Sequence, residues 1–313
     1  MSAIVLVAAI GLDALVGDPD VLWRRVPHPV VLFGRAIGLA DGRFNREGDA
    51  DARRKALGAA TMVLLIGGAA VIGLAIDLLT GSLGPFGWAL EVVVVAVLLA
   101  GRSLADHVVA VREGLGHGLE AGRYAVSMIV GRDPELLDEA GVARAAIESL
   151  AENFADGVVA PALWYLAAGL PGLLVYKLVN TADSMIGHRS TRHLHFGWAA
   201  ARLDDGMNWP AARLTAVMIL ATSPRSIAGW RGIANDAARH RSPNAGWPEA
   251  AMATVLGIAL GGPRSYGQGV LNEPWLNAGG RRVVATSDID DAIRVYRDAL
   301  LIFSSCIAFL ALA

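Results

Sequence analysis

Residues 148–192 read ESLAENFADGVVAPALWYLAAGLPGLLVYKLVNTADSMIGHRSTR, and the rest of the chain is organised around them. Two polar clusters, Glu152 to Asp156 (ENFAD) and Asn180 to Ser184 (NTADS), flank an apolar run about as long as one membrane-crossing helix. On a helix Glu148, Glu152 and Asp156 fall at i, i+4 and i+8, nearly on one face. Asn180, Asp183 and Ser184 fall at i, i+3 and i+4 and share a face in the same way. Three stacked acids repel one another, so the arrangement calls for a cation, a basic partner or open water. The intervening run holds Pro161, Gly169, Pro171 and Gly172. A straight crossing would separate the two clusters across the membrane. A shared site therefore predicts that 158–176 is a broken, re-entrant or buried helix, which is tolerated at depth where protein or a cavity surrounds the backbone.

Composition agrees with a membrane setting. Of 313 residues, 54% are hydrophobic and only 18% charged, against about 45–50% and about 25% for soluble domains. Mean hydropathy is +0.47. Thirty-six glycines suit close helix packing in lipid. A net charge of -2 argues against a nucleic-acid partner. The single Cys306 permits no internal disulfide. No Lys or Arg precedes the first apolar run, and no small-x-small cleavage site follows it, so a cleavable signal is not expected.

The predicted fold class is all-α: a multi-pass helical membrane protein, a single integral-membrane domain over 1–313. Its cytoplasmic helical and loop segments carry the active site. Spans are expected at about 1–17, 58–79, 85–101 and 299–313, with 158–176 and 210–223 as broken, re-entrant or buried apolar helices. Asp13 lies inside the first of these and Glu91 inside the third. Arg43, Arg46, Arg53, Arg54 and Lys55 crowd the loop 18–57, while the 80–84 turn has no charge. The positive-inside rule then places 18–57 and 102–157 in the cytoplasm and the N-terminus outside. Arg132-Asp133-Pro134 interrupts the helical period of 102–157. In TSDIDDAIRVYRDA (286–298) Thr286 or Ser287 is the expected N-cap, with acids in the first turn.

No Walker loop, zinc spacing or GxSxG elbow is present; the GGPRSYGQG loop lacks the GK[ST] ending. The chemistry left is that of oxygen and amide ligands. Glu152, Asn153, Asp156, Asn180, Asp183, Asp204, Asp205 and Asn208 are hard donors of the kind Mg²⁺ takes together with phosphate oxygens and water. Lys177, Arg189, Arg192 and Arg202 stand near them to hold anionic groups. Helix caps and salt bridges would explain one such cluster, less readily three within 60 residues. This inventory leaves open a phosphate-handling membrane enzyme, whether an ATP-dependent ligase or an aspartate-motif prenyl transferase, and a transporter of an anionic solute. No internal repeat of the transporter kind is visible. A prenyl transferase would need more long spans.

At ENFADGVVAP (152–161), YKLVNTADSMIG (176–187) and FGWAAARLDDGMNWPAAR (196–213) the chain closely resembles the cobalamin-biosynthesis family CobD/CbiB, the adenosylcobinamide-phosphate synthases. LDALVGDP, HPV, RDPELLDEAGVARAAIESLAEN, SPNAGWPEAAMA and LGGPRSY extend the resemblance over nearly the whole chain. Ala182 stands where that family often has Leu, and Phe154-Ala155 where it has more polar text; the one role this touches is a hydroxyl at 154. The resemblance implies an inner-membrane enzyme that joins a propionate of adenosylcobyric acid to (R)-1-amino-2-propanol or its O-phosphate. ATP and Mg²⁺ are the implied cofactors. Corrinoid, amino alcohol and membrane lipid are the implied partners, with assembly beside other enzymes of the pathway. On this reading Glu152, Asp156, Asp183 and Asp204 or Asp205 bind Mg²⁺–ATP, with Asp156, Asp183, Asp204 and Asp205 as the metal set. Lys177, Arg189 or Arg202 grip phosphate, Asn153, Asn180, Ser184 and Asn208 line the substrate site, and His28 or Glu148 is the expected base.

Overall fold

Backbone groups in hydrocarbon must be satisfied within their own segment, and the chain meets that demand with helices. The computed structural model describes residues 2–19, 23–130, 134–266, 269–271 and 273–312. The expected break at Arg132-Asp133 lies outside them. The helices are α1 (Ser2–Val16), α2 (Pro29–Phe44), α3 (Asp51–Ser82), α4 (Pro85–Leu98), α5 (Gly101–His117), α6 (Leu119–Ser127), α7 (Glu139–Phe154), α8 (Ala160–Ile186), α9 (Trp198–Ala221), α10 (Trp230–Arg239), α11 (Gly246–Leu256) and α12 (Thr286–Leu312). Among the described residues four helical stretches are long and apolar enough to cross a membrane: Asp51–Ser82, Pro85–His117, Glu139–Ile186 and Thr286–Leu312. The protein is an all-α, multi-pass membrane protein. Val63, Leu64, Val71 and Leu78 of α3, and Leu301, Phe309 and Leu310 of α12, are all at least 65% exposed. Apolar surface on that scale on a long helix is a lipid-facing side.

The chain forms two compact units. In the unit of 1–100 and 160–208, α3 packs along α8, α1 along α4, and α2 against α8. Gly73 lets α3 approach α8 closely: a Cβ there would lie 2.5 Å from the Cα of Pro171. In the unit of 101–159 and 209–313, α7 is the centre, packed by α5, α11 and α12. Its Ala143, Ala146, Ile147, Leu150 and Phe154 are fully buried, and Phe154 meets Tyr296 edge-on at 4.9 Å.

Several elements differ from the sequence reading, each for a local reason. α7 and α8 run on through one π turn, Ala155–Val159. Pro161 has no N–H to offer residue 157 and its ring presses on that carbonyl, so the ladder widens just before it. The wider turn takes Asp156 off the strict i, i+4 series with Glu148 and Glu152. Within α8 the helical path is interrupted at Ala168 and Gly169, the latter at φ 62°, two residues before Pro171. Most of 193–209, expected as a polar cluster, and of 210–223, expected as a separate short helix, falls in the single helix α9 with Pro210 inside it. The polar 286–298 and apolar 299–312 are likewise one helix, α12. Its N-terminus is capped in reverse: the Asp288 carboxylate accepts from the Ala285 N–H at 2.6 Å, while the Thr286 hydroxyl donates to Glu139. The segment after α11 makes two short antiparallel pairs, β1 (Leu260–Gly261) with β4 (Trp275–Leu276) and β2 (Arg264–Tyr266) with β3 (Gly269–Leu271). Residues 267 and 268 of the GGPRSYGQG loop lie outside the described residues.

Candidate functional site

The C-terminal half of α8 sets Tyr176, Asn180 and Asp183 at i, i+4 and i+7, on one face. α9 sets Asp204 and Asn208 at i and i+4. These residues meet. Asp204 Oδ1 accepts from the Asn180 amide at 3.2 Å and Oδ2 from the Asn208 amide at 3.0 Å. The Asn208 carbonyl accepts from the Tyr176 hydroxyl at 2.8 Å. The Trp164 indole donates to the Met207 carbonyl at 3.1 Å and holds the same turn of α9 to α8. Asp204 is 9% exposed and Asn208 1%. Burial, and then the charge of Asp183, push the Asp204 carboxyl up from its ordinary 3.8 to about 7, against the two amide donors; Asp205 adds slightly to the rise. Near neutral pH this acid is therefore poised between its two forms. It takes up a proton more readily than a free carboxyl does.

Other expected residues of this unit fall around that core with different partners. Asp205, next in α9, turns to Arg202 at 3.4 Å, and burial outweighs Arg202 and Arg189 to raise its carboxyl. Lys177 is buried one turn before Thr181. The Ser184 hydroxyl donates back to the Asn180 carbonyl at 3.0 Å, and Arg189 is exposed just beyond α8. His28 serves as N-cap of α2: its Nδ1 accepts from the Val30 N–H at 3.2 Å and its Nε2 faces the Val97 carbonyl at 3.2 Å. The imidazole is thus engaged at both nitrogens, as a cap of α2 and against the Val97 carbonyl.

In the other unit Glu148 is 5% exposed and accepts from the Gly261 N–H at 2.7 Å. That bond anchors the backbone of β1. The exposed Asn153 donates to the Ser149 carbonyl and hydroxyl on its own helix, at 2.9 and 3.1 Å. Glu152 and Asp156 are half-buried, Asp156 within the π turn.

Sequence reasoning missed the frame that holds the segment after α8. Arg192 donates twice to Asp41 of α2, at 3.1 and 2.8 Å. Asn45 donates to Asp41 at 2.7 Å and to the Arg192 carbonyl at 2.9 Å. Arg54, 5% exposed, donates to Asn45 at 2.9 Å and also to the Arg192 carbonyl. Burial alone would raise Asp41, but Asn45, Arg192 and His193 hold its carboxyl below the usual range. Arg192 thus supports the frame of the segment after α8. No spacing within the basic run Arg43 to Lys55 distinguishes Arg54 from its neighbours. Tyr176 was findable, one turn before Asn180 on the same face.

Among the described residues no three His, Cys, Asp or Glu gather to hold a metal ion. The Asp183–Asp204 pair fits a Mg²⁺ that keeps phosphate and water ligands and takes one or two carboxylates from protein. Burial is the main cause of the Asp204 rise and the Asp183 charge the second; that second part is what a cation between the two carboxylates would offset.

The model of the CobD/Cbib protein family matches residues 6–296. The chain is 54% identical to a cobalamin biosynthesis protein CobD of Sinorhizobium sp, over 99% of this chain and 98% of that one. It is 50% identical to the CobD of Brucella anthropi, over 94% and 92% of the two chains. It is 46% identical to that of Rhodobacter capsulatus, over 95% and 94%. No solved structure matches it. With a match that runs almost end to end, the chain belongs to the CobD/Cbib protein family.

Proposed function

We propose that the protein acts in cobalamin biosynthesis as an ATP-dependent acid–amine ligase. It joins a propionate of adenosylcobyric acid to (R)-1-amino-2-propanol or its O-phosphate, to give adenosylcobinamide or its phosphate. The observation that carries this reading is the buried Asp204, braced by Asn180 and Asn208 beside the half-buried Asp183, in a chain of this family.

A carboxylate is a poor electrophile, and phosphorylation by ATP supplies the leaving group; the amine then displaces phosphate. Asp183 and Asp204 would hold Mg²⁺, which supplies neutralisation of the charge carried by the transferring phosphoryl group. Lys177, Arg189 and Arg202 offer positive charge to phosphate oxygens. Asn180 and Asn208 keep both Asp204 oxygens oriented, so the site does not reorganise as charge builds. The corrinoid is water-soluble, so the site opens to the cytoplasm from an inner membrane, as the basic loop 18–57 also suggests. Membrane anchorage favours assembly with neighbouring enzymes of the pathway.

The test is the purified full chain in lipid nanodiscs with adenosylcobyric acid, Mg²⁺–ATP and each amine, read by mass spectrometry. The expected product is heavier than the acid by the amine less water, with ADP released. If no amine gives product and vesicles containing the protein take up an anionic solute instead, the ligase reading is wrong.

A further inference from the structure

The buried phenol beneath the Asp204 cluster has no role in the chemistry above, yet its geometry is specific. Tyr176 is fully buried, as is Asn208. The two ends of an asparagine amide are nearly the same size, so packing alone does not decide which end faces Asp204. Turned one way, Asn208 donates to the Asp204 carboxylate; turned the other, it opposes one acceptor with another. The Tyr176 hydroxyl donates to the carbonyl end at 2.8 Å, which leaves the NH₂ end for Asp204 at 3.0 Å. Asn180, from the same face of α8 as Tyr176, holds the second oxygen at 3.2 Å. A phenylalanine would fill this space without bringing a polar group that must be satisfied in the core.

We infer that Tyr176 is a positioning residue: its hydroxyl sets the orientation of the Asn208 amide, and through it the orientation of the Asp204 carboxylate. This rests on the reading that Asp183 and Asp204 form the reaction centre. Because the hydroxyl acts two bonds away from the carboxylate, its loss should slow the reaction and leave substrate binding almost untouched.

The experiment uses the full chain in nanodiscs with Tyr176→Phe, Asn208→Ala, Asp204→Asn and the double variants. Tyr176→Phe should lower kcat roughly tenfold, the equivalent of one hydrogen bond, with KM for corrinoid and amine within about twofold. Tyr176→Phe/Asn208→Ala should be no slower than Asn208→Ala alone, because the hydroxyl acts on the carboxylate through that amide. Thermal unfolding of substrate-free protein should show the same coupling: the shift caused by Tyr176→Phe shrinks in the Asn208→Ala background. Losses in kcat that multiply, or Tm shifts that add, would mean a separate packing role and overturn the inference. Full activity of Tyr176→Phe alongside inactive Asp204→Asn overturns this inference alone; full activity of both overturns the assignment of the centre itself. If Tyr176→Phe does not fold, Asn208→Leu keeps the size and removes the donor. At least a tenfold loss of kcat is then expected, and unchanged turnover rejects the relay.

Discussion

Replacing Asp204 by Asn should stabilise the protein at neutral pH while abolishing turnover. In the folded chain the carboxyl rises from 3.8 to about 7, mainly through burial and then through Asp183. A raised acid binds its proton more tightly when folded than unfolded, so stability falls as pH rises between those two values. The full rise corresponds to roughly 4 kcal/mol, as an order of magnitude, once the pH exceeds about 7. Asparagine carries no charge to bury, so the variant escapes that cost. It also has one acceptor where the carboxylate had two, and both Asn180 and Asn208 aim donors at it. Because Tyr176 holds Asn208, Asn180 is the one that turns away, at a loss of about 1 kcal/mol. The net expectation is a gain of roughly 3 kcal/mol at pH 8 that shrinks to about zero near pH 4.5. The assay is thermal unfolding of both proteins in nanodiscs with a chelator, since a bound cation would stabilise the parent chain. At about 2 °C per kcal/mol the difference at pH 8 should be about 6 °C. A difference that stays flat from pH 4.5 to 8, or that grows as the pH falls, refutes the reasoning.

Asp183→Asn should also end amide formation with the fold intact, and it should move the Asp204 step in the stability profile to lower pH, because the Asp183 charge is its second cause; near-normal turnover would remove Asp183 from the centre. Arg54→Ala should cost roughly 2–3 kcal/mol in unfolding, since it takes the donor from the buried Asn45 side-chain oxygen and one of two donors from the Arg192 carbonyl. Gly73→Ala should cost roughly 1–3 kcal/mol, because its Cβ would overlap the Pro171 backbone, whereas Gly68→Ala on the same helix, with open space around it, should be nearly silent. Asp41 is held below the usual carboxylate range, so the stability it contributes is present above its unfolded value and lost as the pH falls; the acid limb of unfolding should flatten in Arg192→Ala.

Much of this protein is set by patterns local to the chain. Apolar length and the scarcity of charge dictate long helices, because hydrocarbon leaves no other way to satisfy the backbone. Gly169 and Pro171 mark where α8 must break. Three polar motifs announce a site, and Asn180, Asp183, Asp204 and Asn208 do come together in one unit. Which polar residues work and which merely hold the frame depends on neighbours distant in sequence. Glu148 has the spacing of an active-site acid until Gly261, 113 residues away, brings its N–H to it. His28 has a preorganised look between two prolines until Val97 supplies a carbonyl to its second nitrogen. Arg192 looks like a phosphate ligand until Asp41, 151 residues away, takes its guanidinium. Spacing along a helix decides which side chains share a face. Only tertiary packing decides which of them meet a partner, and how far burial raises the Asp204 carboxyl.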